Sequence, residues 1–591
     1  MDQKMGTGFL FFPADEGVIF TREDLTSEQL AFGDTCRDFF DKDVFPKNND
    51  IENHVGTTSL DLLKKAGELG LLMVEVPEAY GGLGMDKRTA TIVSEESVSQ
   101  GSFSVTLMCH TGIGTLPILY FGTQEQKEKY LPKLATGEWM GAYALTEPGS
   151  GSDALAARTK AVLSEDGKHY ILNGSKMFIT NATWADVMTV FAKVDGEKFT
   201  GFIIEKGFPG YSVGAEEHKM GIKGSSTTTV NLDDCMVPIE NVLGEVGKGH
   251  KIAFNVLNIG RWKLGAASVG GCKLVLKYMV PYLIDRKQFG KSLSEFGLIR
   301  KKIADVATLS YVAESMMYCV AGLYDDAIAT LDKSDANYDR KSIEAIEKYA
   351  VEASIAKVFG SEALWQCVDE GVQALGGYGF SAEYPLEAMQ RNARINRIFE
   401  GTNEINRMIV PGTILKRAMS GEFDMMGEIQ KVLGELKAGY TIKPLGDWES
   451  GTYRDRVNLA KKLAIYACGV AVQKYMADIK DQQYALELMA NLVIEVFAMD
   501  CAYKRTQQIL AKDATQKIPS YLAGIYIAEA YDKMLMIARR LVGEIADGDE
   551  NLVGKYQKAL TRFDLFAPIN TNKLRELVAT HMVERGGYAL K

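Results

Sequence analysis

The stretch TKAVLSEDGKHYILNGSKMFITNA, residues 159 to 182, lies where the chain changes its kind of structure. Two runs of alternating apolar and polar residues flank the pair Asp166-Gly167. Alternation with a period of two is typical of strands that bury one face. Asp-Gly between two such runs is a strong turn signal. The stretch therefore predicts an antiparallel β-hairpin.

The same pattern continues on the C-terminal side of this hairpin. ADVMTVFAKVDGEKFTGFIIEK, residues 185 to 206, contains two more alternating runs around Asp195-Gly196. TTTVNLDDCMVP, residues 227 to 238, adds a further strand. These segments predict a small antiparallel, β-barrel-like domain over residues 141–247.

On both sides of the β domain, apolar residues recur at helical spacing. Ser27 is placed to cap one helix, and Thr123, with Gln126 three residues later, to begin another. Residues 342–377 predict one long helix that paired glycines end. We therefore predict a mainly α fold with a small β domain. Its parts are an N-terminal helical domain over residues 1–140, the β domain, a helical bundle over 248–418, a linker over 419–455 and an additional C-terminal helical domain over 456–591.

The composition excludes several classes of function. A net charge of −10 and a pI near 5.4 argue against a nucleic-acid-binding protein, which would show a basic domain. The eight cysteines and six histidines are dispersed without ligand spacing, so we expect reduced thiols and no metal site. The N-terminus resembles neither a secretory signal nor a mitochondrial presequence. No uninterrupted apolar run approaches the ~18 residues of a membrane span. These features predict a cytoplasmic protein.

Two loops carry residues that suggest chemistry. YALTEPGSGSD, residues 143 to 153, combines hydroxyl groups with glycines and could present backbone N–H groups to a phosphate or a planar polar ligand. An ordinary polar loop has the same composition. In RIFEGTNEI, residues 397 to 405, Glu400 stands between an apolar pair and a glycine. It could be a carboxylate at a helix start or a group in a dry pocket, and the motif alone leaves both open.

Taken with seven further strings, these loops resemble the acyl-CoA dehydrogenase family from about Leu25 to Arg417. The helical extension, which closes with MVERGG, resembles the subgroup that acts on very long acyl chains and carries an added C-terminal domain. The strings occur in the family's order, and they are PEAYGGLG, LTEPGSGSD, LNGSKMFITN, KMGIKGSSTTTV, VPIENVLGEVGKG, LNIGRWKLGAASVG, DRKQFGKSL, QALGGYGF and RIFEGTNEI.

The resemblance implies an FAD enzyme of fatty acid β-oxidation that forms a trans-2,3 double bond in an acyl-CoA thioester. Glu400 matches the base that removes the α proton while the β hydrogen leaves as hydride to flavin. Some relatives carry the base on the helix that contains LNIGRWKLG. The matching residue here is Gly260, which offers no alternative carboxylate.

The resemblance also implies FAD contacts from two parts of the chain. The second of these parts would reach the FAD of a neighbouring subunit, which implies a homodimer. The family usually has Trp where this chain has Phe178. The first set is Tyr143, Leu145, Thr146, Gly151, Ser152, Phe178, Ile179 and Thr180; the second is Arg286, Phe289, Gln373, Gly376 and Gly377, with Thr402, Asn403 and Glu404 completing the shell.

For the substrate, the resemblance places the acyl tail near HTGIGTLPILYFG, residues 110 to 122. The small residues Gly112, Gly114 and Thr115 would leave room for a long chain, although close helix packing would explain the same glycines. The residues implied to bind acyl-CoA are Ser152, Phe254, Asn258, Arg261 and Gly401.

The implied electron acceptor is an electron-transferring flavoprotein. Two other functions stay open at this point: an assembly or scaffold protein on the same fold, and an oxidase that uses oxygen directly. In the linker, Ile429, Val432, Leu433 and Leu436 share one helical face. Because the charges around this face are mixed, we favour docking on the protein over peripheral membrane contact.

Overall fold

The computed structural model describes residues 6–442, 448 and 451–591. The N-terminal region is helical, with a π-helical turn at His110–Gly114 between two of its helices. The helices are α1 (Ser27–Phe39), α2 (Asn48–Glu52), α3 (Thr58–Glu68), α4 (Lys87–Glu96), α5 (Gly101–Cys109), α6 (Leu116–Phe121) and α7 (Gln124–Thr136).

Reciprocal side-chain bonds set the starts of two of these helices. The predicted capping box at Thr123 and Gln126 is confirmed. The prediction of Ser27 as the cap of α1 is wrong, because Thr26 fills that position. The Thr26 hydroxyl accepts from the backbone N–H of Gln29 at 3.2 Å, and the Gln29 side chain accepts from the Thr26 N–H at 2.9 Å. Gln29 lies three residues after Thr26, the spacing that the reciprocal pair requires.

A β domain follows, and its strands form one sheet in the order β6-β7-β3-β2-β4-β5-β8, with β1 paired to β4. Both predicted hairpins are present. Asp195 and Gly196 have φ of 55° and 77°, the left-handed conformation for which Asp-Gly is suited. The strands are β1 (Gly141–Ala144), β2 (Lys160–Leu163), β3 (His169–Thr180), β4 (Val187–Val194), β5 (Lys198–Glu205), β6 (Tyr211–Val213), β7 (Thr227–Pro238) and β8 (Val242–Leu243).

The sheet is mixed and not purely antiparallel as the hairpin signals alone suggest. β4 runs parallel to both β1 and β2, whereas the other pairings are antiparallel. A turn signal reports only on the two strands that it joins. The parallel partners of β4 are distant in the chain, so no local pattern reveals them.

The helical bundle after the β domain is built on two long helices, α8 and α11, that pack against each other. The single helix predicted over residues 342–377 is wrong, because it breaks between Glu347 and Ala350. The buried ring of Tyr349 at this break lies 6.1 Å from that of Tyr324. Gly376, with φ of 62°, ends the second part. The elements are α8 (Gly249–Asp285), a short hairpin of β9 (Lys287–Gln288) and β10 (Lys291–Ser292), α9 (Gly297–Ile328), α10 (Tyr338–Glu347), α11 (Ala350–Leu375), α12 (Gly377–Phe380), α13 (Pro385–Ala393) and α14 (Asn403–Met419).

The C-terminal extension folds as a further helical layer against α9 and α14. A linker helix, α15, precedes it. The apolar face of α15 packs on the protein: Val432 is buried, and Ile429 approaches Gly469 on the next helix. The helices are α15 (Met425–Ala438), α16 (Thr452–Tyr475), α17 (Gln483–Lys512), α18 (Ile518–Ala546), α19 (Glu550–Leu560) and α20 (Thr571–Arg585).

The segment before α1 packs on this C-terminal layer. The rings of Phe9 and Phe497 lie 4.7 Å apart, and Gln508 exchanges two 2.9 Å hydrogen bonds with the backbone of Ile19. The first and last parts of the described chain are therefore joined.

In the described part of the chain, two helical stretches are long and apolar enough to cross a membrane, Gly101–Phe121 and Gly297–Ile328. Of the most apolar 18 residues of each stretch, 78% in the first and 89% in the second are buried inside the fold. Core helices of water-soluble proteins have the same property.

Candidate active site

Glu400 lies in a short loop that leads into α14. Its φ is 57°, and that of Gly401 is 76°, so two successive residues adopt the left-handed conformation. This conformation is uncommon for a residue with a side chain and must be held by its surroundings. Thr402 caps α14, since its hydroxyl accepts from the N–H of Ile405 at 3.2 Å. The sharp turn before the cap directs Glu400 away from the helix that follows.

Side chains on two helices hold the carbonyl groups of this loop. The amide nitrogen Nδ2 of Asn406, on α14, donates to the carbonyls of Glu400, Gly401 and Thr402 at 3.4, 2.8 and 3.0 Å. From α8, Nε of Arg261 donates to the Glu400 carbonyl at 3.3 Å. Asn406 belongs to the same stretch of sequence as Glu400, but we did not predict its role. Its position one turn into α14 was the available signal.

The carboxylate of Glu400 points into the protein across α8. Its oxygen Oε2 is buried and has no hydrogen-bond partner among the described residues. A Cβ atom on Gly260 would lie 2.7 Å from this oxygen, so a side chain there would displace the carboxylate. Burial raises the pKa of Glu400 to about 7, and the positive charges of Arg261 and Lys357 oppose that rise. A carboxyl group with a pKa near neutrality is suited to accept a proton.

Glu400 and Gly260 both line a cavity of about 810 Å³, a size typical of sites for small molecules. Gly112 also lines it, as predicted for the acyl tail, whereas Gly114 and Thr115 do not. A Cβ on Gly114 would lie 2.8 Å from the backbone of Gly141, so this glycine serves close packing. Apolar residues line the part between α5 and α8, and they are Val98, Val105, Met108, Ile113, Leu264 and Ala267.

The first predicted cofactor set lines the same cavity. A buried ion pair between Lys176 on β3 and Glu147, at 2.7 Å, anchors the loop after β1 to the sheet. Lys176 also donates to the Leu145 carbonyl at 3.3 Å. Phe178 has φ of 58° and is 58% exposed. The cavity-lining members are Tyr143, Leu145, Thr146, Gly151, Ser152, Phe178, Ile179 and Thr180.

These residues provide room for a planar cofactor. Nothing lies within 4 Å of a Cβ placed on Gly151, so a ligand can approach the backbone there. Thr146, in the loop after β1, and Thr180, at the end of β3, both line the cavity. A face of backbone groups and hydroxyls beside an apolar slot fits a flavin ring and its polar edge.

The second predicted set does not line this cavity in the single chain. Phe289 is 92% exposed, and the Arg286 guanidinium lies 5.9 Å from the ring centre of Tyr378. Gln373, Gly376 and Gly377 are exposed beside it. Thr402 instead caps α14, Asn403 accepts a hydrogen bond from Lys357, and Glu404 is exposed.

Four of the five residues predicted for acyl-CoA line the cavity: Ser152, Phe254, Arg261 and Gly401. Asn258 does not. Its side-chain oxygen accepts from Nη1 of Arg261 at 2.9 Å, so it lies behind the arginine. Asn258 and Arg261 lie three residues apart on α8 and are therefore neighbours on its surface. This position lets Asn258 bind the Arg261 side chain and not the cavity.

Models of one protein family match most of the chain, from the N-terminal helical region to the C-terminal layer. Models of the acyl-CoA dehydrogenase N-terminal and middle domains match residues 26–138 and 142–235. Two models of the family's C-terminal domain match residues 247–415 and 459–554. The chain belongs to the acyl-CoA dehydrogenase family, which is a family of oxidoreductases.

Individual relatives extend the match over the C-terminal layer. A probable acyl-CoA dehydrogenase of Bacillus subtilis (strain 168) is 45% identical over 100% of this chain and 99% of its own. The mitochondrial very long-chain specific acyl-CoA dehydrogenase of Macaca fascicularis is 38% identical over 80% of this chain and 73% of its own. A crystal structure of an acyl-CoA dehydrogenase complexed with FAD, from Bacillus anthracis, superposes with a TM-score of 0.95 and 43% identity, covering 99% of this chain and 100% of that one.

Proposed function

We propose that this chain is an FAD-dependent acyl-CoA dehydrogenase that converts long-chain acyl-CoA into trans-2-enoyl-CoA. The observation that carries the proposal is the buried, unpartnered oxygen of Glu400, which lies against Gly260 in the lining of a cavity suited to an acyl chain. A carboxylate without a partner in an apolar slot is costly, and such groups concentrate at functional sites.

Glu400 acts as the base in this proposal. It removes a proton from the α carbon of the thioester while the β hydrogen leaves as hydride. The apolar surroundings of Glu400 raise its affinity for the proton and exclude water from the developing negative charge. The backbone N–H of Glu400 would bind the thioester oxygen, on which that charge develops.

FAD supplies the acceptor for the hydride when it is bound. The residues that would hold it are those of the β-domain side, with Leu145 and Thr146 at the edge of the ring and Ser152 towards the phosphates. Phe178 and Thr180 would lie against the ring. The similarity to a chain crystallised with FAD, together with the open backbone at Gly151, supports this assignment.

A homodimer would complete the cofactor site. Arg286, Phe289, Gln373, Gly376 and Gly377 are exposed on one side of the chain. A phenylalanine that is 92% exposed, as Phe289 is, suggests a surface that another chain covers. In the proposed dimer these residues bind the partner's FAD.

Two observations, one on the cavity and one on the relatives, support a long-chain substrate. Apolar side chains line the space between α5 and α8, no carboxylate among the described lining residues of that part closes it, and a very long-chain specific enzyme is 38% identical. These observations support long acyl chains. We propose electron-transferring flavoprotein as the acceptor and the cytoplasm of a bacterium as the location, in line with the full-length match to a bacterial chain.

An anaerobic titration tests the proposal. The purified protein is expected to be yellow, and acyl-CoAs from octanoyl- to palmitoyl-CoA should bleach its flavin, the longer chains at lower concentration. Protein reconstituted with FAD that no acyl-CoA bleaches would contradict the proposal and favour a scaffold on the same fold. Rapid reoxidation of the bleached flavin by air would favour an oxidase over transfer to a flavoprotein.

A further inference from the structure

Lys357, on α11, contacts the loop of Glu400 although it lies far from that loop in the chain. Its side chain is fully buried, which is rare for lysine. The ammonium group donates to the carbonyl of Gly401 and to Oδ1 of Asn403, both at 2.7 Å. Lys357 therefore binds the two residues on either side of the cap of α14.

This contact restrains the turn in which Glu400 lies. Glu400 and Gly401 both have positive φ, and a glutamate leaves that conformation unless its neighbours hold it. The bond to the Gly401 carbonyl fixes the peptide plane that follows Gly401. Asn403 extends the support, because its amide nitrogen donates to the Ser361 hydroxyl at 3.1 Å and to Oε1 of Glu362 at 2.9 Å.

The charge of Lys357 also acts on Glu400. Both hydrogen-bond acceptors of Lys357 are neutral, and no carboxylate forms an ion pair with it within the part of the chain that the structure describes. The other groups that interact electrostatically with Lys357 are Arg261 on α8, Glu404 on α14 and Glu362 on α11.

From the side of Glu400, the charged and titratable neighbours are Arg261, Lys357, Cys109 on α5 and Tyr143 on β1. Burial raises the pKa of both the Cys109 thiol and the Tyr143 hydroxyl, so these two groups are neutral near pH 7. Arg261 and Lys357 thus provide the positive field at the carboxylate. Burial lowers the pKa of Lys357 itself to about 7.

We propose that Lys357 is a positioning residue for the base: it fixes the turn at Glu400 and Gly401, and its protonated ammonium group favours the ionised carboxylate of Glu400. The proposal rests on the proposed function of Glu400. Lys357 does not line the cavity, so it acts through Glu400 and does not touch the substrate.

The first test compares Lys357→Met with Lys357→Arg in the FAD-loaded enzyme. Lys357→Met removes the donor and the charge. We expect acyl-CoA binding within about threefold of wild type and flavin reduction slowed by roughly 10- to 100-fold at pH 7. The acid limb of its pH–rate profile should move up by roughly one pH unit, since a positive charge that lowers the pKa of Glu400 has been lost.

Lys357→Arg keeps the charge and should keep the acid limb of wild type even if its rate falls. A matched control is Lys302→Met. Lys302, on α9, forms an ion pair with Glu370, which lies on α11 as Lys357 does, and neither residue of this pair lines the cavity. It should change neither the rate nor the profile.

A Lys357→Met enzyme with the wild-type rate and profile overturns the proposal. So does a Lys357→Met enzyme slowed at every pH by the same factor with no shift, which a purely structural role predicts.

A second measurement does not depend on turnover. The carboxyl stretch of Glu400, isolated by subtracting the infrared spectrum of Glu400→Gln, gives the protonation of Glu400 against pH. Lys357→Met should shift this titration upward and Lys302→Met should not; an unshifted titration overturns the proposal. If wild type shows the titration but no acyl-CoA bleaches its flavin, the proposed function fails while the inference about Lys357 stands.

Discussion

Gly260 and Glu400 face each other so closely that a single methyl group on Gly260 would lie 2.7 Å from the carboxylate oxygen Oε2. The two residues come from different elements, α8 and the loop before α14. The absence of a side chain at one position therefore makes the room in which the other works. Gly260 is the position at which other members of the family, by resemblance, carry the base.

Gly260→Ala should reduce the rate of flavin reduction by roughly 10- to 100-fold, because displacing a base by about 1 Å has effects of that order. FAD content and the unfolding temperature should change little, since the carboxylate can move into the cavity. Stopped-flow reduction by palmitoyl-CoA measures the effect. Gly412→Ala, on α14 with open space around its Cβ, is the control. Equal rates in both variants would show that the contact with Gly260 does not position Glu400.

Glu400→Gln should bind acyl-CoA with nearly unchanged affinity and lose at least ~10⁴-fold in the rate of flavin reduction, as removal of an essential base does. The amide keeps the size of the side chain, so the cavity stays intact. Anaerobic titration gives binding, and stopped-flow absorbance gives the rate. Retention of more than about a tenth of the activity would refute the assignment of the base.

The pH dependence of reduction follows from the pKa of Glu400, about 7. A protonated carboxyl cannot accept the α proton. The rate should therefore fall about tenfold per pH unit below this value and level off above it. Glu400→Gln should lose this acid limb from its residual activity. An acid limb near pH 4.5 would mean that the carboxylate is solvated during the reaction.

The same pKa shift affects stability. Burial raises the pKa of Glu400 above its ordinary value of 4.5. Its favourable contribution to folding is fully present below pH 4.5 and is lost as the pH rises through about 7. Relative to wild type, Glu400→Gln should therefore have a higher unfolding temperature at pH 8 and an equal one at pH 4. Equal temperatures at both values would contradict the burial of the charge.

Arg505, on α17, joins the C-terminal layer to the rest of the fold. Its buried guanidinium lies 2.6 Å from carboxylates of Glu23 and of Glu314 on α9. Arg505→Met leaves the buried carboxylate of Glu314 short of a partner and should destabilise the protein by about 3 kcal/mol, measured by urea unfolding. Arg539→Met breaks an exposed pair with Asp564 and should cost less than about 1 kcal/mol. Similar losses in both variants would contradict a joining role for Arg505.

The parts of the fold that the sequence predicts are those with local signals. Asp195-Gly196 turns the chain because both residues accept positive φ, and Thr123 starts α7 because Gln126 reciprocates. The order of helical, β and helical parts follows from the spacing at which apolar residues recur along the chain. The parallel pairing of β4 with β1 and the break at Tyr349 have no such signal, because both depend on neighbours that are distant in the chain.

The candidate site divides in the same way. Its motifs predict Glu400, and the first cofactor set lines one cavity. The motifs do not predict Asn406 or Lys357 as supports of the loop, and they place Asn258 in contact with the substrate although it lies behind Arg261. Hydrogen bonds between side chains of one helix and carbonyls of another loop leave no pattern in a single sequence.

The sequence by itself determined the periods of strands and helices, the turns, the capping box at Thr123 and the family to which the chain belongs. All of these depend on residues close together in the chain or on motifs read in order. Only the tertiary structure decided that Glu400 is buried opposite Gly260, with Arg261 and Lys357 as its positive neighbours. Desolvation and the field at a carboxylate depend on atoms brought together from α5, α8, α11 and β1, and their distances exist only once the chain has folded.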